Sequence, residues 1–470
     1  MAIGKNVFNR LSSKDWVFFQ KSWFQYEGPS HLLRAYMAFF TFREAPGPPV
    51  FYMGPHTNEA RAAASECGFE LTTHLPEGEV QFAFIDLCEA AQGLKAEAWP
   101  SLRKEVEALV QQLAEKLVHR RFLTVAIPNV FVDGTFYPWA WDLACRLGQV
   151  LTLKDEKIAC LEGDQPCDRG YFEPHKNHFY LLHFRRDEYS GVHITPTRHF
   201  YDLNEHSPLP YEAGALPPSW FILRPQRRNK KEVLHPAKFP ESLPELYIRA
   251  LTRKGDNVFD PMSGTGSTQL AALRLGRNGY GTELSGYFND IGRERCLAYL
   301  FEQAGAHGDH PPSFDLITGD ARKVLEYGFP MQYLIFTSPP YWDMLNMKGA
   351  ENKAKRQLQG LKTNYSDDSL DLGNIPDYQT FVNELVKVYH TVSQLLRPGG
   401  HFVIVVKNIK KGGRNYPFAW DLAALLQEHL ILLPETLWCQ DDQSLAPYGY
   451  PSTFVSNTFH QYCLCFRKPG

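Results

Sequence analysis

The stretch Asn257-Val-Phe-Asp260-Pro-Met-Ser-Gly264-Thr-Gly266-Ser-Thr268, followed by Gln269-Leu-Ala-Ala-Leu-Arg-Leu275, decides the fold. Its apolar start reads as a buried strand, its glycines as a tight turn and its tail as the beginning of a helix. That order puts a backbone loop and a helix N-terminus at the carboxyl end of a strand, where open α/β sheets take their ligands. Two common ligand loops are excluded: no Gly-Lys-Ser/Thr follows, and Gln269 stands at the third glycine of the dinucleotide fingerprint. An acidic Asp260 beside the turn repels a pyrophosphate and favours a nucleoside cofactor with a cationic centre. Downstream, Gly281-Thr-Glu283 ends another short strand, where a carboxylate can accept both ribose hydroxyls.

A second turn follows a second apolar run. Tyr333-Leu-Ile-Phe336 leads into Thr337-Ser338-Pro339-Pro340-Tyr341-Trp342. The prolines donate no ladder hydrogen bonds, and Pro339 disfavours helical geometry at Ser338, so the strand stops there in a stiff corner. The corner offers a hydroxyl, backbone carbonyls and an aromatic face, which suits a flat heterocycle with an exocyclic amine. Ser338 and the Pro339 carbonyl can accept both amine hydrogens, and Tyr341 can stack on the base.

Together, Asp260 to Thr268, Glu283, Gly319-Asp320-Ala321 and Thr337 to Trp342 resemble the DNA amino-methyltransferases, which move a methyl group from S-adenosylmethionine to cytosine N4 or adenine N6. The resemblance runs from Arg224 to the C-terminus. It implies an α/β fold with a doubly wound sheet. It further implies a catalytic turn of Ser338, Pro339, Pro340 and Tyr341, and cofactor contacts from Asp260, Pro261, Ser263, Gly264, Gly266, Ser267, Thr268, Glu283 and Thr337. Asp320 is placed near the adenine, and His235-Pro-Ala-Lys-Phe239-Pro240 resembles the remaining cofactor motif. Serine at the head of the turn favours cytosine N4, with adenine N6 as the alternative. The order departs from the usual serine-headed pattern, because here the catalytic turn follows the cofactor loop.

At 470 residues, with 44% hydrophobic and 14% aromatic content, the chain can fill two or three cores. No apolar run reaches membrane-spanning length and Met1-Ala-Ile-Gly-Lys-Asn lacks a signal-peptide core, so cytoplasm is the expectation. Nine scattered cysteines without a Cys-x-x-Cys pair predict neither disulfides nor zinc. A net charge of −3 gives no general hold on nucleic acid, so contact with DNA, or with RNA as the second choice, requires local basic clusters. Three present themselves: Arg224, Arg227 and Arg228; Lys348, Lys355 and Arg356; and Lys407, Lys410, Lys411 and Arg414.

The first 200 or so residues lack these motifs, yet the chain resembles itself. Tyr137-Pro-Trp-Ala-Trp-Asp-Leu-Ala144 matches Tyr416-Pro-Phe-Ala-Trp-Asp-Leu-Ala423 at an offset of 416 − 137 = 279. The same offset carries Asn129 onto Asn408, and Leu102, Val106, Leu109, Leu113 and Leu117 onto Phe381, Leu385, Val388, Val392 and Leu396. His178 to Arg185 matches His460 to Arg467 at an offset of 282. Residues 1–195 are therefore expected to form a degenerate copy of the fold, 196–234 a linker with a basic segment, and 235–470 the catalytic domain. Phe82-Ala-Phe-Ile85 is set against Tyr333-Leu-Ile-Phe336 at an offset of 251, which puts Asp86 at Thr337 and leaves 279 − 251 = 28 extra residues in the catalytic copy. These fall within 342–378, a polar insertion expected to read the target. The pairing of an active with an inactive copy resembles the eukaryotic messenger-RNA adenine methyltransferase. An RNA methyltransferase and an inactive nucleic-acid-binding module remain the competing readings, and a restriction or defence partner and the oligomeric state are left open.

Overall fold

The computed structural model describes residues 9, 11, 16, 19–42, 44–132, 134–161, 177–191, 217–224, 239–303, 311–340, 342, 370–442 and 455–470. They form two sheets laid down one after the other. The first contains β1 (Trp23–Gln25), β2 (Val50–Met53), β3 (Leu71–Thr72), β4 (Val80–Asp86), β5 (Leu117–Ile127), β8 (Thr152–Cys160) and β9 (His178–Arg185). A hairpin of β6 (Val130–Val132) and β7 (Thr135–Tyr137) stands apart from it. The second contains β10 (Trp220–Ile222), β11 (Asn257–Asp260), β12 (Asn278–Glu283), β13 (Phe314–Thr318), β14 (Gln332–Thr337), β15 (Leu396–Val406), β18 (Ile431–Leu432), β19 (Thr436–Cys439) and β20 (His460–Arg467). Its own separate hairpin is β16 (Ile409–Lys411) with β17 (Arg414–Tyr416).

The strand orders are β1-β8-β9-β5-β4-β2-β3 and β10-β19-β20-β15-β14-β11-β12-β13. The seven strands of the first path correspond in order to the first seven of the second, which adds β13 at its end, and the directions agree: β9 and β20 run antiparallel to both neighbours in the path, while the remaining pairs are parallel. This is the expected α/β architecture, twice over. The central strands are apolar throughout because helices cover both faces; Leu334, Ile335 and Phe336 are fully buried, as are Phe82, Phe84 and Ile85. Among the described residues, no helix is long and apolar enough to cross a membrane.

Sheet register refines the internal alignment by one residue. Phe82 pairs with Phe122 as Leu334 pairs with His401, so β4 maps onto β14 at 334 − 82 = 252 rather than 251. Asp86 therefore stands where Ser338 does, and the surplus between turn and helix is 279 − 252 = 27 residues. The sequence match slipped because both strands are continuously apolar, leaving no alternation to fix the register. The following helix, Tyr378–Ser393, buries Phe381, Leu385, Val388 and Val392, with Asp377 capping Thr380 N. It ends before Leu396, which with Leu117 opens a strand instead.

The halves meet in a nearly two-fold contact written in equivalent residues. Trp141 stacks near Trp420 at 6.4 Å between centroids, and Tyr180 near Tyr462 at 6.5 Å. Each half buries a glutamate in the other's donors. Glu435 accepts from Asn129 Nδ2 (2.8 Å) and Tyr180 Oη (2.7 Å), with His178 Nε2 at 3.2 Å. Glu156, its equivalent at 435 − 156 = 279, accepts from Asn408 Nδ2 (3.0 Å) and Tyr462 Oη (2.9 Å), with His460 Nε2 at 3.4 Å. The same asparagines use Oδ1 to hold the helices of the repeated segments, through Ala140 N and Ala419 N. One continuous apolar core includes residues of both halves.

Candidate functional site

The glycine turn rises from the end of β11. Gly264 (φ +53°) and Gly266 (φ +74°) occupy the left-handed region, and a β-carbon on Gly266 would lie 3.1 Å from Gly292 Cα. The turn is laced to β12: Ser263 N donates to Thr282 O (2.9 Å) and Thr282 Oγ1 to Pro261 O (2.8 Å). Gln269, the residue that broke the fingerprint, fills the space beneath. Its Nε2 donates to Tyr280 O (2.8 Å) and Ser263 Oγ (3.1 Å), over a strand that Gly279 and Gly281 keep free of side chains.

Asp260 ties this turn to the proline corner. Its Oδ1 accepts from Met262 N (3.0 Å) and Thr337 Oγ1 (2.7 Å), and its Oδ2 from Thr268 Oγ1 (2.8 Å). The carboxylate is 1% exposed, and burial pushes its pKa to about 6 against the pull of those hydrogen bonds. It braces two strand ends from below. Among the residues expected as cofactor contacts, Asp260, Thr268 and Thr337 hold one another beneath the turn, Gly266 packs against Gly292, and the Pro240 carbonyl accepts from Leu243 N (3.0 Å).

Above the brace, the two turns open into one cleft of about 990 Å³, its open mouth included. Phe239, Pro261, Ser263, Gly264, Ser267, Glu283 and Asp320 line it together with Ser338, Pro339 and Pro340. Glu283 ends β12 with Oε2 accepting from Gly264 N (2.8 Å) and Oε1 from Ser285 N (2.9 Å). Burial raises its pKa to about 7, with those two bonds opposing and the charges of Asp260 and Asp371 adding to the rise. Asp320 is forked by Arg322 Nε (2.9 and 2.8 Å). Tyr327 Oη accepts from Asp320 N at 3.1 Å, in space that a β-carbon on Gly319 would occupy.

The donor set fits the implied cofactor. A cleft lined by Glu283, Asp320 and Asp371, whose arginine, Arg322, is already paired with Asp320, disfavours phosphate and favours hydroxyl donors and a cation. Glu283 would take a ribose diol, Asp320 the adenine side, and Gly264 would let the backbone come close. Sequence reasoning missed Met262, Leu284, Phe288, Arg322, Asp371 and Leu372, which also line the cleft. Leu284 follows Glu283 directly and could have been found; Asp371 lies near the end of the 342–378 stretch with no motif around it. His235 and Tyr341 lie outside the described residues, as do Arg227, Arg228, Lys348, Lys355, Arg356 and the rest of 343–369 in the insertion. Among the described residues, no group of three His, Cys, Asp or Glu is arranged to hold a metal.

The third basic cluster is engaged in part within the chain itself. Lys410 Nζ is bonded to Asp155 and donates to Ser456 O (2.8 Å), and Arg414 lies over the Tyr189 ring at 4.3 Å. The β16–β17 hairpin thus docks on the first half, because β8 carries the charged run Lys154-Asp155-Glu156-Lys157 there. Lys411 Nζ sits 3.8 Å over Trp342, Lys407 is half-buried, and Arg224 is exposed but forked on Asp441 (Nη2–Oδ2 2.6 Å).

In the first half the equivalent strand end is crowded. Tyr52 stands where Asp260 does, and its hydroxyl accepts from His56 N (3.1 Å). A β-carbon at Gly54 would lie 2.7 Å from Asp86 Cβ and 2.8 Å from the Tyr52 hydroxyl.

Residues 168–294 match the model of the N6/N4 DNA methylase family. The match covers the cofactor turn and stops before Ser338. Similar proteins include an orphan methyltransferase, M.BamHII, of Bacillus amyloliquefaciens, 44% identical over 14% of this chain and 25% of that one. The type II methyltransferase M.BglI of Bacillus subtilis is 39% identical over 20% of this chain and 26% of its own. The DNA adenine methyltransferase YhdJ of Escherichia coli is 29% identical over 21% and 34%. The chain thus spans about a quarter to a third of the length of these relatives. Among solved structures, TrmN from Thermus thermophilus overlaps 49% of each chain at 17% identity with a TM-score of 0.30, an overlap too loose to add to the strand order.

Proposed function

We propose that this chain is an S-adenosylmethionine-dependent DNA methyltransferase acting on the exocyclic amine of a flipped base, cytosine N4 ahead of adenine N6. In this reading residues 235–470 are catalytic, and 1–195 are a degenerate copy that scaffolds them. The observation that carries it is the single cleft shared by Gly264 and Ser338–Pro340, with Asp260 bracing both turns. The family match at 168–294 and the named relatives support the methyl-transfer chemistry and the DNA substrate.

S-adenosylmethionine, when bound, supplies an electrophilic methyl group on a sulfonium. The chain's own work is placement. Ser338 Oγ and the Pro339 carbonyl accept the two amine hydrogens, which draws the nitrogen lone pair out of the ring and aims it along the cleft. The proline corner is stiff, so this geometry exists before the base arrives. Glu283 and the glycine turn fix the nucleoside end of the donor. No general base is required before attack, and the surplus proton leaves to water. A paired base cannot present its amine, so the target must leave the helix stack.

The test is methyl transfer from isotopically labelled S-adenosylmethionine to unmethylated duplex DNA and, in parallel, to total RNA, with the nucleosides separated by mass spectrometry. N4-methylcytosine in DNA is the expected product. N6-methyladenine moves the target, label in RNA moves the substrate, and no label in either overturns the reading.

A further inference from the structure

The two halves place one aspartate differently, and the difference falls beside the proline corner. Asp142 and Asp421 are equivalent, at 421 − 142 = 279, in the repeated segment. Each accepts a hydrogen bond from an aromatic donor on the preceding helix, also equivalent: Trp99 Nε1 reaches Asp142 Oδ2 at 3.3 Å, and Tyr378 Oη reaches Asp421 Oδ2 at 2.6 Å. In the first half, Arg103 Nη1 (3.4 Å) and Arg146 Nε (3.1 Å) neutralise the carboxylate. In the second half, Val382 and Leu425 occupy those two positions. Asp421 is 5% exposed, and burial raises its pKa to about 7, with the Tyr378 bond opposing the rise.

A buried carboxylate stripped of its cations is costly, and a purely architectural acid could have kept them. What surrounds Tyr378 shows what the carboxylate can hold in place. The Tyr378 ring meets the Trp342 indole edge-on at 5.1 Å, Tyr416 closes the triangle at 4.9 Å to each, and Lys411 caps the indole. Trp342 Nε1 donates to Pro376 O (3.1 Å). Trp342 lies two residues beyond Pro340, where the chain leaves the corner.

We infer that Asp421 is a positioning residue of the base pocket: through Tyr378 it fixes Trp342, and through Trp342 the direction in which the chain leaves Ser338–Pro340. The inference rests on the methyltransferase reading for its kinetic consequence but not for its structural one. The arginines in the first half fit the same logic, since that half has no base corner to hold and uses its aspartate only to tie helices together.

Two readouts on the full chain separate the possibilities. Backbone hydrogen exchange in the peptide spanning 337–342 should quicken in Tyr378→Phe and Asp421→Ala and stay near wild type in Asp421→Asn, whose amide oxygen still accepts from Tyr378. Turnover on unmethylated plasmid DNA should fall on the order of 10- to 100-fold in the first two variants, with S-adenosylmethionine affinity held, and recover in Asp421→Asn. Asp142→Asn should lower the melting temperature without changing turnover. Unchanged exchange and turnover in Tyr378→Phe overturn the inference, even if Asp421→Ala fails to fold. Faster exchange in Tyr378→Phe, together with a wild-type protein that transfers no methyl group, overturns the proposed activity and leaves the positioning role standing.

Discussion

Replacing Lys410 by methionine separates an interface lysine from a nucleic-acid one. Lys410 bonds Asp155, whose side chain is fully buried between the halves and also accepts from Ser456 N (2.8 Å) and Ser456 Oγ (2.9 Å). Removing one partner of such a buried pair costs about 3–5 kcal/mol. At roughly 2–4 °C per kcal/mol for units of this size, the melting temperature should fall by on the order of 10 °C. The pH dependence gives a second handle. Burial pushes the Asp155 carboxyl up, but the charges of Lys410, Lys157 and His183 overcome it and hold the pKa at about 2. A depressed acid contributes its stability above its ordinary value and loses it as pH falls through the folded value. The gap between wild type and Lys410→Met should therefore be full at pH 7 and narrow between about pH 4 and 2, read by calorimetry. Salt dependence of DNA binding should not change. A melting temperature within about 2 °C of wild type, together with a salt slope reduced by about one, would return Lys410 to the nucleic-acid surface and refute the interface argument.

Other perturbations address the cleft. Ser338→Ala should lower turnover on the order of 100-fold while calorimetric S-adenosylmethionine affinity stays unchanged; equal loss of both would remove Ser338 from the amine. Glu283, with a pKa raised to about 7, is ionised only above that pH, so cofactor affinity should be highest there and fall as pH drops through it. Glu283→Gln should weaken binding about tenfold and flatten that profile; a profile identical to wild type would exclude the carboxylate as the titrating group. Gly281→Ala brings a β-carbon to 2.1 Å from Ser263 Oγ and 2.7 Å from Asp260 O, so it should destabilise the fold by about 1–3 kcal/mol and cut cofactor affinity. A variant as stable and as tight as wild type would show that β12 has room to move.

Much of this was legible in the sequence because turn chemistry is local. Two glycines at positive φ and two prolines after an apolar strand admit few backbones, and both turns fall at strand ends on one side of one sheet. The repeat was legible because Asn408 and Asn129 must face their helices at fixed spacing. What stayed hidden depends on long-range contact. Asp260 looked like a ligand because it heads the glycine turn, yet its oxygens are committed to Thr337 and Thr268. Lys410 looked like a nucleic-acid contact because it lies in a basic run, and only the docking of β16–β17 onto β8 shows that Asp155 holds it. Asp421 carried no signal, since its meaning lies in two arginines that its counterpart has and it lacks.

The most direct measurement is a crystal structure of the full chain with S-adenosylhomocysteine, the demethylated product, soaked or co-crystallised. The ribose should sit on Glu283, the homocysteine sulfur should point across the open cleft toward Ser338, and the carboxylate of Asp260 should keep its bonds to Thr337 and Thr268. A nucleoside seated elsewhere, or a sulfur turned away from the proline corner, would contradict the claim that one small cavity brings methyl donor and target amine together.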